Sequence, residues 1–139
     1  MEIIANALQT VQANQNVYFT DTIVGGGSTF SHRDNSGLVT MRGNTCQCRA
    51  RYRVSFGGNI ALPEGGTAGP ISLAIAIDGE AVPSSTMTVT PTAVESFFNV
   101  FASIFIDVPK GCCMTVSVYN ISTVPVDVMN ANLIAERVA

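Results

Sequence analysis

Residues 46–63, CQCRARYRVSFGGNIALP, decide how the chain is read. Every second residue, Cys46, Cys48, Ala50, Tyr52, Val54 and Phe56, is apolar, while Gln47, Arg49, Arg51, Arg53 and Ser55 between them are polar. Successive side chains of a pleated strand point to opposite faces, so the alternation predicts a strand with one dry face and one wet face. Gly57-Gly58 predicts a bulge or bend before Pro63.

Upstream of this strand, residues 1–16 read as a polar lead-in with little periodicity. Residues 17–24, VYFTDTIV, are β-branched and aromatic and stop at three glycines, which predicts a strand and a turn. Residues 28–32 are expected to pair with it. Asp34-Asn35-Ser36-Gly37 is turn chemistry, and residues 37–42 read as a short strand.

Downstream, residues 71–78 alternate Ile71, Leu73, Ile75 and Ile77 against Ser72, Ala74, Ala76 and Asp78, and Asp78-Gly79 signals a hairpin. Met87 and Val89 point inward between threonines in residues 86–90. Residues 112–122 alternate Met114, Val116 and Val118 against Thr115, Ser117 and Tyr119. In the last segment the phase set by Val124, Val126 and Val128 slips at Asn130-Ala131-Asn132, which predicts a bulge.

Residues 92–108, TAVESFFNVFASIFIDV, carry two competing patterns. A capping box from Thr92 to Glu95 and helically spaced apolar residues favour a helix. The abundance of aromatic and β-branched residues from Phe97 onward favours a strand, and we adopt the strand. Phe98, Val100, Ala102, Ile104, Ile106 and Val108 then form an aliphatic face opposite Phe97, Phe101 and Phe105. Both faces are apolar and only one can meet the chain's own core. The aromatic row is therefore expected at an interface between subunits, where aromatic residues are enriched.

The 139 residues fit one domain, 1–139, large enough to hold a core without metal or disulfide. Charged residues make up 12%, about half the usual share of roughly 25%, so part of the surface is expected to be covered by other subunits. A net charge of −3 and a single lysine, Lys110, speak against nucleic-acid or anionic-membrane binding. No apolar run is long enough to span a bilayer, and the N-terminus does not read as a secretory signal. Eight to ten short strands with glycine and proline turns predict an all-β antiparallel jelly-roll sandwich.

The order of features resembles the trimeric jelly-roll heads of the tumour necrosis factor and complement globular-head class. The resemblance rests on the opening NQNVYFTDT, on RYRVSFGGNIA followed by ISLAIAIDGEAVP, and on the ending NANLIAERVA. Among such heads, the C-terminal domain of a collagen-like glycoprotein of bacterial exosporia has a similar hairpin and ending, matched here by Ile77, Asp78, Gly79, Val82 and Pro83 and by Glu136, Arg137, Val138 and Ala139. The resemblance implies a threefold assembly with a structural or recognition role and no cofactor. It covers roughly residues 14–139. No Gly-X-Y stalk precedes the head in this sequence, a departure from that glycoprotein that fits small free-standing head proteins of phage particles.

In a jelly roll the turn before residue 49 and the turn at Lys110-Gly111 lie at one end, which would bring Cys46 and Cys48 near Cys112 and Cys113. Three readings stay open: two disulfides within or between subunits, buried free thiols, or a thiolate metal site, for which the spacing is unusual. Arg49, Arg51 and Arg53 form a one-sided basic stripe, either gripping a partner or an acidic glycan, or paired with nearby acids. His32, in SHRD, has none of the sequence context of a hydrolytic triad and reads as a surface turn residue. The expected function is a non-enzymatic homotrimeric head on a larger assembly, a virion or an extracellular or spore surface. A lectin-like module binding glycans through its end loops is the alternative.

Overall fold

A computed structural model describes residues 1–139. In chain order the strands are β1 (Glu2–Ala5), β2 (Gln9–Val11), β3 (Asp21–Val24), β4 (Phe30–His32), β5 (Val39–Arg42), β6 (Arg49–Ala61), β7 (Ile71–Ile77), β8 (Glu80–Ala81), β9 (Met87–Val89), β10 (Phe98–Pro109), β11 (Cys113–Asn120) and β12 (Val126–Arg137). One 3-10 turn, Pro83–Ser85, interrupts them. The strands form two six-stranded antiparallel sheets. The first runs β10-β6-β12-β1-β3 with β2 added beside β12, and the second runs β4-β5-β11-β7-β8 with β9 added beside β7.

The alternation around Tyr52 becomes β6, whose Ala50, Tyr52, Val54, Phe56 and Ile60 are fully buried. Val100, Ile106 and Val108 of β10 and Ala131, Leu133 and Ala135 of β12 share that face, and Ile71, Leu73, Ile75, Val116 and Val118 close the core from the second sheet. Phe56 meets Phe19 edge to face with ring centroids 6.4 Å apart, and Tyr52 meets Phe30 at 5.3 Å. Burial raises the Tyr52 phenol above its ordinary pKa, and its hydroxyl donates to the Arg42 carbonyl.

Several expectations need correction. Gly57-Gly58 makes no bulge in β6, which pairs with β10 in unbroken register from Phe98↔Ile60 to Pro109↔Arg49. The irregularity lies in the partner strand instead, between Met129 and Asn132, where the sequence phase slips and Asn130 takes a φ of 55°. Residues 1–16 contain β1 and β2, and Ile3, Ala5 and Val11 are core residues. Within residues 17–24 only β3 is strand. The preceding stretch crosses between the sheets: Val17 N–H donates to the Val118 carbonyl and Thr20 N–H to the Ile4 carbonyl. β4 pairs with β5 rather than with residues 17–24. Residues 92–97 are irregular, so Thr92 and Glu95 cap no helix, and β10 takes up the rest of the segment as strand. At the Asp78-Gly79 hairpin both residues have positive φ, 50° and 86°, as a tight turn between β7 and β8 requires.

Candidate functional site

β10 is an edge strand, so one of its two backbone flanks has no neighbour within the chain. Its inward residues from Val100 to Val108 are aliphatic, and its outward residues are Asn99, Phe101, Ser103, Phe105 and Asp107; Phe98, expected on the aliphatic core face, is 41% exposed at the strand's start. Phe101 is 67% exposed and Phe105 63% exposed. Antiparallel pairing places residues directly opposite one another on the same face, so the register extends these positions into rows across the sheet. Phe101 stands beside Gly57 and Asn132, Ser103 beside Ser55 and Ile134, and Phe105 beside Arg53 and Glu136. Ile134 is itself 40% exposed, and the Ser55 and Ser103 hydroxyls lie 2.9 Å apart. Phe97 precedes β10 and so stands outside the strand row that the alternation assigned to it.

The charges on this face are matched within the chain. Arg51 donates from Nε to Asp107 Oδ1 at 2.8 Å and from Nη2 to Oδ2 at 3.0 Å, a bidentate pair that Arg49 joins with its Nε 3.1 Å from Oδ2. The Arg51 hydrogen bond, reinforced by the charges of Arg51 and Arg49, holds the Asp107 carboxyl below the usual carboxylate range. Arg53 pairs with Glu136. The arginine stripe therefore faces acids of its own sheet, and Glu2 accepts from the Asn132 amide at 2.6 Å. Sequence reasoning named neither Asp107 nor Glu136 as a partner of the arginines. Their only signal was an acid on the polar phase of a neighbouring strand, and that points nowhere until the register is known.

At the Pro109 end of β10 two loops are joined by backbone hydrogen bonds. Gly43 N–H donates to the Cys112 carbonyl at 2.8 Å, Gly111 N–H to the Gly43 carbonyl at 3.2 Å, and Lys110 N–H to the Cys48 carbonyl at 3.0 Å. A side chain on Gly43 would meet the Pro109 carbonyl oxygen at 2.1 Å, so this close approach requires glycine. The loops thus bring the two cysteine pairs to one end. Cys46, Cys48, Cys112 and Cys113 are all free and all exposed. That corrects both the dry-face placement of Cys46 and Cys48 and the reading of buried thiols: β6 begins only at Arg49, after both cysteines. No three Cys, His, Asp or Glu side chains converge as metal ligands within the chain. Gln47, Cys48, Arg49, Arg51 and Ala139 line a shallow recess of about 260 Å³ beside this end.

His32 lies at the end of β4, not on a surface turn. Its Nε2 is 2.9 Å from the Ser36 carbonyl and its ring packs edge-on against Phe19. No helix is long and apolar enough to cross a membrane.

Two antiparallel sheets in this strand order, with β10 and β3 at the edges of one sheet, form a jelly-roll sandwich with a tumour necrosis factor-like fold. The structure is similar to the globular domain of zebrafish complement 1qA, with a TM-score of 0.68 at 13% identity over 99% of this chain and 95% of that one. It is also similar to murine APRIL, with a TM-score of 0.56 at 7% identity over 95% of this chain and 96% of that one. No protein-family model matches the sequence, and no curated protein matches it.

Proposed function

We propose that the protein is a non-enzymatic head that assembles as a homotrimer through the outer face of the β10 sheet and is displayed on a larger assembly, a phage particle or a spore or cell surface. The observation that carries this reading is the exposure of Phe101 and Phe105 on a 12-residue edge strand. An exposed, apolar edge strand invites pairing with another chain unless charge or proline blunts it. Here the only charge is Asp107, already held by Arg51 and Arg49, and the only proline is the terminal Pro109.

The energetics point the same way. Fully burying a phenylalanine side chain contributes roughly 1.5–3 kcal/mol, and a threefold seam buries two from each of three copies. Arg51–Asp107 and Arg53–Glu136 enter the seam as made pairs, so closing it leaves neither acid without a partner. The resemblance of the sequence to trimeric heads implies the same symmetry.

The test is the double substitution Phe101→Asp with Phe105→Asp, followed by light scattering and circular dichroism. The expected result is a folded β protein at the 14.6 kDa mass of one chain, where the unaltered protein scatters as three. A double variant that keeps the oligomeric mass of the parent overturns the placement of the seam.

A further inference from the structure

Cysteine is among the most buried of residue types, yet all four in this chain are exposed, and all four lie at the same end. The two loops that carry them are held against each other by the Gly43–Cys112, Gly111–Gly43 and Lys110–Cys48 backbone bonds. The thiols are thus presented on a fixed platform. That platform sits where β10 ends and β6 begins, at one end of the strand that carries Phe101 and Phe105.

We infer that this end of the molecule is a covalent seam, in which cysteines of the 43–48 loop of one copy form disulfides with Cys112 or Cys113 of the next copy. The inference rests on the trimer reading above. In a closed threefold ring every contact joins two different patches of the chain. Two different thiol loops at one pole are what such a contact needs. Cys112 and Cys113 cannot readily satisfy each other, because neighbouring Cα atoms are about 3.8 Å apart across a trans peptide and an unstrained disulfide spans roughly 4.4–6.8 Å. For each bridge two thiols lose two protons and two electrons. A small-molecule disulfide such as oxidised glutathione accepts them by thiol–disulfide exchange and leaves as two thiols.

The experiment oxidises the full chain with glutathione disulfide in native buffer, using an equal mixture of unlabelled and nitrogen-15-labelled protein that has been reduced, denatured and refolded together. On a non-reducing denaturing gel most of the chain is expected as covalent dimer and trimer that collapse to monomer with dithiothreitol. Cleavage after Arg42, Arg49, Lys110 and Arg137 should release disulfide-linked peptides 43–49 and 111–137 in which one member is labelled and the other is not. Bridges confined to one chain, glutathione adducts alone, or unreacted thiols overturn the inference. The variant with serine at positions 46, 48, 112 and 113 should give no covalent ladder while keeping its oligomeric mass.

Light scattering of the reduced parent separates the two ideas. A reduced trimer without interchain bridges sinks the covalent seam and leaves the trimer. A reduced monomer sinks the trimer, and interchain bridges formed by such a monomer would be collisional and count against the seam.

Discussion

The two sheets enclose one core but differ on their outer faces. On the outward phase of β7, β9 and β11 the side chains are small or hydroxylated: Ala74, Ala76 and Ser117 are buried, while Ser72, Thr88 and Thr115 reach the surface, with the Ser72 and Thr88 hydroxyls 2.8 Å apart. Outside β10, β6 and β12 stand two exposed phenylalanines, an isoleucine and two sets of matched ions. The first face carries hydroxyls and small side chains. The second has the composition of an interface core, apolar and aromatic with its charges neutralised. The same alternation that fills the core thus builds two unlike outer faces, and the proposed assembly uses the aromatic one.

The two faces should respond most differently at their phenylalanines. Phe56 and Phe101 belong to paired strands but face opposite ways. Phe56→Ala should lower stability by about 3–5 kcal/mol in urea unfolding, through the lost burial and the cavity left behind. Phe101→Ala should change the unfolding of the dissociated chain by no more than about 0.5 kcal/mol while weakening assembly. Equal effects of the two on the isolated chain would erase the distinction between core and seam.

A second test removes one partner of an ion pair at the seam. Glu136→Ala leaves Arg53 without its acid, and if the pair is enclosed on assembly the association should weaken by roughly 2–5 kcal/mol in a dilution series followed by light scattering. Third, Thr88→Asp at an exposed position on the other sheet should leave the oligomeric mass unchanged. Loss of assembly from that substitution would place the seam on the wrong sheet.

The smallest effect expected is that of pH. Asp107 is held below its ordinary pKa by its hydrogen bond from Arg51, so the folded protein binds the proton more weakly than the unfolded chain does. Its contribution is therefore present above the unfolded value of about 4 and is lost as pH falls through the lower folded value. Asp107→Asn should flatten the dependence of stability on pH below about 4 and leave it unchanged near neutrality. At the alkaline end, Tyr52 is raised by burial. Its contribution is present below about pH 10 and is lost as pH rises through its folded value, so Tyr52→Phe should reduce the decline of stability above pH 10.

The sheet-built interior was legible because the strands that form it are long and alternate cleanly. Residues 49–56 separate dry from wet residues with a period of two, residues 71–77 sort large aliphatic from small side chains with the same period although Ala74 and Ala76 are also buried, and the bulge at Asn130 showed as a break in that period. β1 and β2 were not legible. Four and three residues give too short a pattern, and these strands are held by docking on β12, where Met1 donates its amino group to the Ala135 carbonyl at 2.7 Å. The same limit applies to the ion pairs. Arg51 and Asp107 are 56 positions apart and Arg53 and Glu136 are 83 apart, and only strand register brings them together. For the cysteines, the alternation was extended past the point where the strand begins, and the backbone ties at Gly43 and Lys110 decide their surroundings instead.

The most direct measurement is the native mass of the reduced, unaltered protein at micromolar concentration. The account predicts a species of three times 14.6 kDa, with the phenylalanines of β10 enclosed between copies. A stable species of 14.6 kDa under those conditions would contradict it.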